Sequence, residues 1–438
     1  MVKSVFIANR GEIAVRIIRT LKEMGIESVV GYSEADRESL AVEMADKAVC
    51  IGPPEAKKSY LHSSNLISGA LFAGCDAVHP GVGFLSESAK FAQQVKDAGL
   101  VFIGPEAETI SFLGDKVQAR KTAEKAGLPI TPGSDGPVTD LKTATEFAEK
   151  AGYPIIIKAA SGGGGKGMRI VREHSELESA MRIATHEAET SFSDGTIYME
   201  KYLENPRHIE VQILADTFDN VIHLGERDCS LQKNHQKVLE ESPSPGIDQT
   251  IRDRMCQDAV NLFKSIGYKG AGTIEFLFDG EQYYFMEVNA RVQVEHPVSE
   301  FISNVDIIKE QIRGCSGEPM DLRQEDIRLE GASIECRINA STPGRITRYL
   351  QPSGRNVRVD SFLYQGYMVS PFYDSLVAKL ITYGRDRRSA IARMKRALDE
   401  YVIEGIETNI EVQKKILNSA LFQQGNFGTF GLSKILEE

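Results

Sequence analysis

Residues 285–296 read FMEVNARVQVEH, bringing Glu287, Asn289, Arg291, Glu295 and His296 onto what the pattern predicts to be one strand and its exit. Glu275 stands just upstream in GTIEFLF. A hard dication that shares phosphate oxygens takes one or two protein carboxylates together with amide or water oxygens. Glu275, Glu287 and Asn289 supply that set, and the i, i+2 spacing of Glu287 and Asn289 puts both on one strand face. These residue types point to a magnesium and anion site. They equally fit an edge hairpin with solvated acids, the usual fate of a strand glutamate.

The elements that must position them are two runs rich in β-branched and aromatic residues, 272–278 and 282–289, separated by the turn signal Asp279-Gly280. Adjacent antiparallel strands are expected. Bringing Glu275 to the other two ligands is expected to set residue 275 opposite 285 and 273 opposite 287, through a three-residue loop or a bulge. Upstream, short apolar strands at 4–8, 28–32, 77–79 and 100–103 alternate with helical patterns such as 13–24, the rhythm of an open, mostly parallel sheet. Its first turn, Asn9-Arg10-Gly11-Glu12, has one glycine where a dinucleotide fingerprint needs three, so this region reads as Rossmann-like without that ligand. A helix carrying Lys116 is expected over 109–126, and the prolines and glycines of 129–137 mark a boundary. After Arg328, shorter strands at 332–338, 357–360 and 376–383 and a helix at 388–401 make a third, mixed region.

Beyond the boundary, strands at 153–160 and 168–172 flank the run SGGGGKG at 161–167. Successive glycines let backbone N–H groups converge on phosphate oxygens, so the run is a candidate triphosphate clamp with Lys158 beneath it. It formally satisfies G-x-G-x-x-G, yet a strand follows where a Rossmann unit needs a helix, and Gly167 after Lys166 breaks the Walker A pattern. A protein kinase reading is raised by the glycine flap and by Glu226-Arg227-Asp228. It fails because no DFG or APE follows and Asn234 is off the required spacing. The strand at 197–203 leads to a connector whose backbone can meet an adenine edge. Residues 233–237, KNHQK, concentrate positive charge that suits phosphate or bicarbonate and would serve equally as a solvated loop. Arg337, between Cys336 and Ile338, is either an ion-pair member or functional, because a lone buried guanidinium is costly.

A chain of 438 residues exceeds what one core usually serves, so two to three domains are expected. A net charge of -11 disfavours nucleic acid and anionic membranes and requires any anion pocket to be built from clustered Lys and Arg. Six cysteines show neither CxxC pairing nor zinc-ligand spacing, which implies reduced thiols and a cytoplasmic setting. The first residues turn polar too soon for a signal peptide, and no apolar run is long enough to span a bilayer.

Taken together, GDK at 114–116, IIIKAASGGGGKGMR, YMEKYLENPRHIE, ERDCSLQKNHQK, GTIEF, FMEVNARVQVEHP and ECRIN closely resemble the biotin carboxylase component of acetyl-CoA carboxylase. SVFIANRGEIAVRI and HPGVGFLSE extend the resemblance over essentially the whole chain. Several ordered motifs together are far more specific than any one. The resemblance implies α/β and α+β architecture: an ATP-grasp fold at 114–328 with a glycine-flap lid over about 130–203, an N-terminal Rossmann-like (pre-ATP-grasp) domain at 1–113, and a C-terminal mixed β-rich domain at 329–438.

It also implies ATP-dependent carboxylation of biotin by bicarbonate through carboxyphosphate, the first half-reaction of acetyl-CoA carboxylase in fatty acid synthesis. ATP would be met by Lys116, Lys158, Gly164, Gly165, Glu200, Lys201, Leu203, His208 and His235. Glu275, Glu287 and Asn289 would hold magnesium, or manganese in its place. Lys237, Arg291, Gln293, Val294 and Glu295 would surround bicarbonate, with Glu295 as the base beside Arg291, and Arg337 would meet biotin. Lys237, Arg291, Glu295 and Arg337 are thus the implied catalytic groups. The chain departs from the family pattern at Val82, where HPGYGFLSE is usual, and between Ala340 and Pro343, where relatives carry a longer acidic, proline-containing stretch. Its only dipeptide similar to a biotin attachment site, Met394-Lys395, falls in a helical pattern, so a separate biotin carboxyl carrier protein is expected, with carboxyltransferase subunits as further partners. Arg19 and Glu23 resemble the family's dimer surface and imply a homodimer; alone they read as an i, i+4 solvent pair. Three rivals remain: another ATP-grasp ligase, the biotin carboxylase subunit of a pyruvate or acyl-CoA carboxylase, and a non-catalytic ATP-binding assembly subunit.

Overall fold

The computed structural model describes residues 2–134, 136–159, 168–192, 194–234 and 236–437. It divides into two units, one of Met1–Leu128 with Arg207–Glu438 and one of Pro129–Pro206. In the first unit the strands Ser4–Ile7, Glu27–Ser33, Lys47–Gly52, Ala77–His79 and Val101–Phe102 form a parallel sheet. Counted along the chain, their spatial order is 3-2-1-4-5. The order reverses beside Ser4–Ile7, so the turn after that strand lies at the switch point, where such sheets bind ligands. Gly11 opens the helix Gly11–Glu23 there with φ of +68°, a left-handed value that suits glycine. That helix is buried along most of its length, Glu12 and Arg16 included, so both charges require partners.

A second sheet in the same unit has eight strands. In spatial order they are Tyr283–Asn289, Gly270–Phe278, Arg207–Ala215, Val221–Lys233, Gln236–Ser242, Ala332–Asn339, Leu376–Gly384 and Val357–Ser361, each antiparallel to its neighbour. Three of the strands after residue 328, Ala332–Asn339, Leu376–Gly384 and Val357–Ser361, therefore extend the sheet that holds the hairpin. Arg207–Ala215 is buried at every position, as a strand covered on both faces must be.

The hairpin register differs from expectation. Thr273 pairs with Asn289, Glu275 with Glu287 and Phe276 with Phe285, not 275 with 285 or 273 with 287. Asp279 Oδ1 accepts from the N–H groups of Glu281 (3.0 Å) and Gln282 (2.8 Å), which fixes the loop end of the register. The shift between positions 275 and 276 then leaves Met286 as a bulge, and this sets the two carboxylates directly opposite each other. A second difference is the helix expected over 109–126, which is two helices, Ala107–Gly114 and Lys116–Lys125. Asp115 between them is extended (φ -84°, ψ 102°), and its carboxylate accepts from Gln118 N at 3.1 Å, capping the second helix. The shortened segment after Asn339 is tied down by Ser341 N donating to Glu407 O (2.8 Å) and Glu407 N donating to Thr342 Oγ1 (3.0 Å).

The second unit has its own core. Ile155–Ala159 is the central strand of a three-stranded antiparallel sheet with Met168–Val171 and Ile197–Lys201. Helices Leu141–Ala151 and Leu177–Phe192 bury Ala144, Ala148, Leu177 and Ala184 with Ile155, Ile157, Val171 and Met199. The expected nucleotide contacts Gly164 and Gly165, and likewise His235, lie outside the described residues.

Candidate functional site

Period-two alternation puts His208, Glu210 and Gln212 on one face of the strand Arg207–Ala215 and Ile209, Val211 and Ile213 on the other. Glu210 is the cross-strand partner of Glu275 on one side and of Arg227 on the other. Glu275 in turn faces Glu287. Three carboxylates in a row across three strands repel one another unless cations interleave.

Lys237 is the main interleaved cation. Its ammonium donates to Glu210 Oε2 and Glu295 Oε1, each at 2.6 Å, and to Glu275 Oε1 at 3.0 Å. All three of its N–H groups are thereby engaged. Burial alone would lower the Lys237 pKa, but Glu210, Glu275 and Glu295 together push it well above the ordinary lysine value. Arg227, with no exposed surface, commits all five of its N–H groups: to Glu210 (2.5 Å), Gln212 (2.7 Å), Ser299 (3.0 Å), Thr273 (3.2 Å) and Gln293 (3.0 Å). Burial opposes ionisation of Glu275, yet Lys237 and then His208, whose Nε2 lies 2.8 Å from Glu275 Oε2, hold it well below the usual carboxylate range. The His208 imidazole moves the other way: burial lowers it, and the Glu275 charge more than restores it. Cys229, Glu210 and Glu295, and likewise His208, Glu210 and Glu275, are close enough to suggest metal clusters among the described residues. The carboxylates of both groups surround the Lys237 ammonium, and Arg227 on Glu210 and Arg337 on Glu295 bring further positive charge to them.

Glu295 sits just before the helix His296–Ser303 and is 2 % exposed. Its carboxylate meets Lys237 through Oε1 and Arg337 Nη2 through Oε2 at 2.9 Å. Burial would raise its pKa; Lys237, Arg337 and Arg227 overcome this and depress it well below the ordinary value. Arg337 also donates through Nε to Glu240 Oε1 at 2.5 Å, so one guanidinium serves two buried carboxylates. Arg291 is expected beside Glu295, but its bonds go elsewhere: Nε to Glu87 Oε2 (2.9 Å), Nη2 to Asn289 Oδ1 (3.1 Å) and Nη1 to Val292 O (3.3 Å). Glu87 wins it because that carboxylate is pinned by Ala290 N (3.0 Å) immediately before the arginine. Gln293 bridges Glu275 and Arg227, and the Val294 carbonyl accepts from Lys379 Nζ at 2.9 Å.

The candidate magnesium ligands are together. Glu287 lies opposite Glu275, and Asn289 Nδ2 donates to Glu275 Oε1 at 2.9 Å. Burial and then the Glu275 charge raise the Glu287 pKa, with Lys116 Nζ at 3.7 Å from Glu287 Oε2 only partly offsetting them. This edge is short of positive charge, and its hard oxygens fit a magnesium-type dication; the Asn289 oxygen joins only by releasing Arg291. In the other unit, Lys158 Nζ and Glu200 Oε2 are paired at 2.6 Å, and Lys201 Nζ donates to the carbonyls of Gly152 (2.9 Å) and Tyr153 (3.1 Å). Leu203 follows, partly buried.

Three domain families match the chain in order. They are described as "Biotin carboxylase, N-terminal domain" (residues 1–110), "Carbamoyl-phosphate synthase L chain, ATP binding domain" (115–323) and "Biotin carboxylase C-terminal domain" (333–434). Biotin carboxylase 1 of Bacillus subtilis (strain 168) is 53 % identical over 439 residues, covering 98 % of each chain. The chain belongs to the biotin carboxylase family. A crystal structure of the biotin carboxylase–beta-gamma-ATP complex from Campylobacter jejuni, 47 % identical, superposes with a TM-score of 0.92 and covers 99 % of each chain. The biotin carboxylase domain dimer of the Hydrogenobacter thermophilus 2-oxoglutarate carboxylase, solved with MgADP, ADP and bicarbonate, is 43 % identical with a TM-score of 0.90, over 99 % of this chain and 98 % of that one. As a biotin carboxylase family member with an ATP-grasp fold, the chain is an ATP-dependent carboxylase, a ligase.

Sequence reasoning misses Glu210, Arg227, Glu240 and Glu87. The signal for Glu210 is present in the alternation His208, Glu210, Gln212 against Ile209, Val211, Ile213. Arg227 stands out in the sequence only as part of a kinase-like triplet. Glu240 lies in no motif and Glu87 only closes HPGVGFLSE, and neither shows its partner, since Arg337 and Arg291 are remote in sequence.

Proposed function

We propose that this site makes carboxybiotin from ATP, bicarbonate and biotin through carboxyphosphate, with Glu295 as the base. The observation that carries this is a single buried carboxylate clamped between Lys237 (2.6 Å) and Arg337 (2.9 Å). So clamped, Glu295 is ionised but weakly basic. A substrate that draws either cation towards itself leaves Glu295 less neutralised and therefore a stronger base, so basicity rises when bicarbonate or biotin is in place.

On this reading bicarbonate exchanges for one of the carboxylates on Lys237, and Arg291 reaches it by leaving Glu87; Gln293 and Val294 complete its surroundings. Glu295 takes the bicarbonate proton, and the freed oxygen attacks the γ-phosphorus as ADP departs. Magnesium held by Glu275, Glu287 and Asn289 would neutralise phosphate oxygens. Carboxyphosphate then breaks its C–O bond to give CO2 and phosphate. The phosphate takes the ureido N–H proton of biotin, Arg337 donates to the ureido oxygen as negative charge develops, and the ring nitrogen bonds to CO2. Lys116 and His208, and in the other unit Lys158, Glu200, Lys201 and Leu203 with Gly164 and Gly165, take the nucleotide roles their motifs imply, as does His235.

The same proposal assigns functional divisions at 1–113, 114–328 and 329–438, a biotin carboxyl carrier protein and carboxyltransferase as partners, a homodimer through the surface of Arg19 and Glu23, and a cytoplasmic setting. It is supported by six cysteines that are all free thiols, and by the absence, among the described residues, of any helix long and apolar enough to cross a membrane. Acetyl-CoA is proposed as the final acceptor on the whole-chain resemblance. A 2-oxoglutarate carboxylase among the relatives gives the alternative of another acceptor. The test is incubation with ATP, magnesium, labelled bicarbonate and free biotin. Acid-labile label on biotin, formed in step with ADP, is the expected result; ATP hydrolysis that leaves biotin unlabelled would sink the proposal.

A further inference from the structure

Lys379 stands on the strand Leu376–Gly384 with no exposed surface. A methionine would fill much the same space without the cost of burying an ammonium, several kcal/mol by general experience. The fold instead surrounds the charge. Glu12 Oε2, from the first turn of Gly11–Glu23, lies 3.1 Å from Nζ, and Asp360 Oδ2, the cross-strand partner on Val357–Ser361, lies at 3.8 Å. Glu335, fully buried and without a hydrogen bond at either oxygen, interacts with Lys379 from the strand Ala332–Asn339. On that same strand, Arg337 is the direct cross-strand partner of Lys379.

With so many acids to satisfy, one ammonium hydrogen is nonetheless given to a main-chain carbonyl, that of Val294, at 2.9 Å. Val294 O and the N–H of Glu295 belong to one planar peptide unit, which also contains both flanking Cα atoms. Fixing the direction of that carbonyl fixes the plane, and with it the point from which the Glu295 side chain departs. We propose that Lys379 is a positioning residue for the bicarbonate step: it sets the Val294–Glu295 peptide so that Glu295 and the anion-binding segment 291–295 meet bicarbonate in register. This rests on the function proposed above. Lys379 itself touches no substrate.

The test uses the full chain carrying Lys379→Met, and the double variant Lys379→Met/Glu12→Gln, in which one cation and one anion are removed together so that loss of charge balance is lessened. Bicarbonate-dependent ATP hydrolysis is measured with each substrate varied in turn, alongside thermal unfolding. A small displacement of a reacting group typically costs up to about a hundredfold, so the bicarbonate KM is expected to rise roughly tenfold or more in both variants. The KM for ATP should stay within about twofold, and the double variant should melt closer to the wild type than the single. A bicarbonate KM that is unchanged, or that rises only together with the KM for ATP, overturns the inference. A double variant that does not fold marks the lysine as structural and overturns it too. If the wild-type chain itself lacks bicarbonate-dependent hydrolysis, the functional reading has failed rather than the role of Lys379 within it.

Discussion

Arg337→Met separates the two half-steps of the proposed reaction. The guanidinium binds Glu240 at 2.5 Å through Nε and Glu295 at 2.9 Å through Nη2, and both carboxylates are buried. Deleting one member of a buried ion pair costs about 3–5 kcal/mol, because the remaining charge is left uncompensated. Part of that is recoverable: burial already pushes Glu240 up to about 7, despite the Arg337 charge, so without Arg337 it takes up a proton near neutral pH. The double variant Arg337→Met/Glu240→Gln should therefore regain most of the stability lost by the single one. Catalysis should not follow stability. Losing one donor to a developing oxyanion costs on the order of 2.7–4 kcal/mol, or about 10²–10³ in rate. Carboxybiotin formation should fall by that factor in both variants, while biotin-independent, bicarbonate-dependent ATP hydrolysis falls less than about tenfold and the KM for ATP is unchanged. Radiochemical trapping of carboxybiotin beside coupled detection of ADP reads both quantities. A fall under about tenfold in carboxybiotin, or an equal fall in the two rates, would refute the assignment of Arg337 to biotin.

Other outcomes follow from the same geometry. Glu87→Gln should lower the bicarbonate KM a few-fold without changing that for ATP, since it frees Arg291 from a partner that is 41 % exposed and such pairs are worth about 1 kcal/mol or less; steady-state kinetics checks it. Glu287→Gln should raise the magnesium concentration for half-maximal rate by roughly tenfold, because it removes the ligand at the edge short of positive charge; titration of activity with the metal reads this. Glu300, buried with Arg16 (2.9 Å) and Arg358 (2.7 Å), has its pKa lowered from 4.5 to about 2 as the two arginines outweigh burial. A depressed carboxylate contributes stability that is present above its unfolded value and lost as pH falls through the folded one. Wild-type stability should accordingly drop between about pH 4.5 and pH 2 by up to about 3 kcal/mol on this account, and urea titrations should show that part of the acid dependence vanish in Glu300→Gln.

Features that depend on short-range pattern are legible in the sequence itself. Alternating β-branched and aromatic runs mark both hairpin strands, and the βαβ rhythm marks the parallel sheet whose order is 3-2-1-4-5. Glu275, Glu287 and Asn289 group together on spacing and residue type, and they are adjacent, but the register that joins them turns on a bulge at Met286 that no propensity specifies. Asp115 reads as helix interior in the sequence because its capping role depends on backbone geometry rather than residue type alone. Charge networks are the least legible. Lys237 is ambiguous in sequence between a solvated loop and an anion site, and in this structure it is not solvated: three carboxylates, two of them from strands remote in sequence, surround it. Arg291, expected at the base, instead holds Glu87, a residue just over two hundred positions away that no spacing could connect to it.

Glu295, held by Lys237 and Arg337, is the proposed base that makes bicarbonate a nucleophile for ATP. The most direct measurement is the rate of ADP release by the wild-type chain and by Glu295→Gln, with and without bicarbonate and with and without free biotin. Wild-type hydrolysis should require bicarbonate and be accelerated by biotin, and Glu295→Gln should lose the bicarbonate-dependent rate by about 10²-fold or more. ADP release indifferent to bicarbonate, or undiminished in Glu295→Gln, would contradict it.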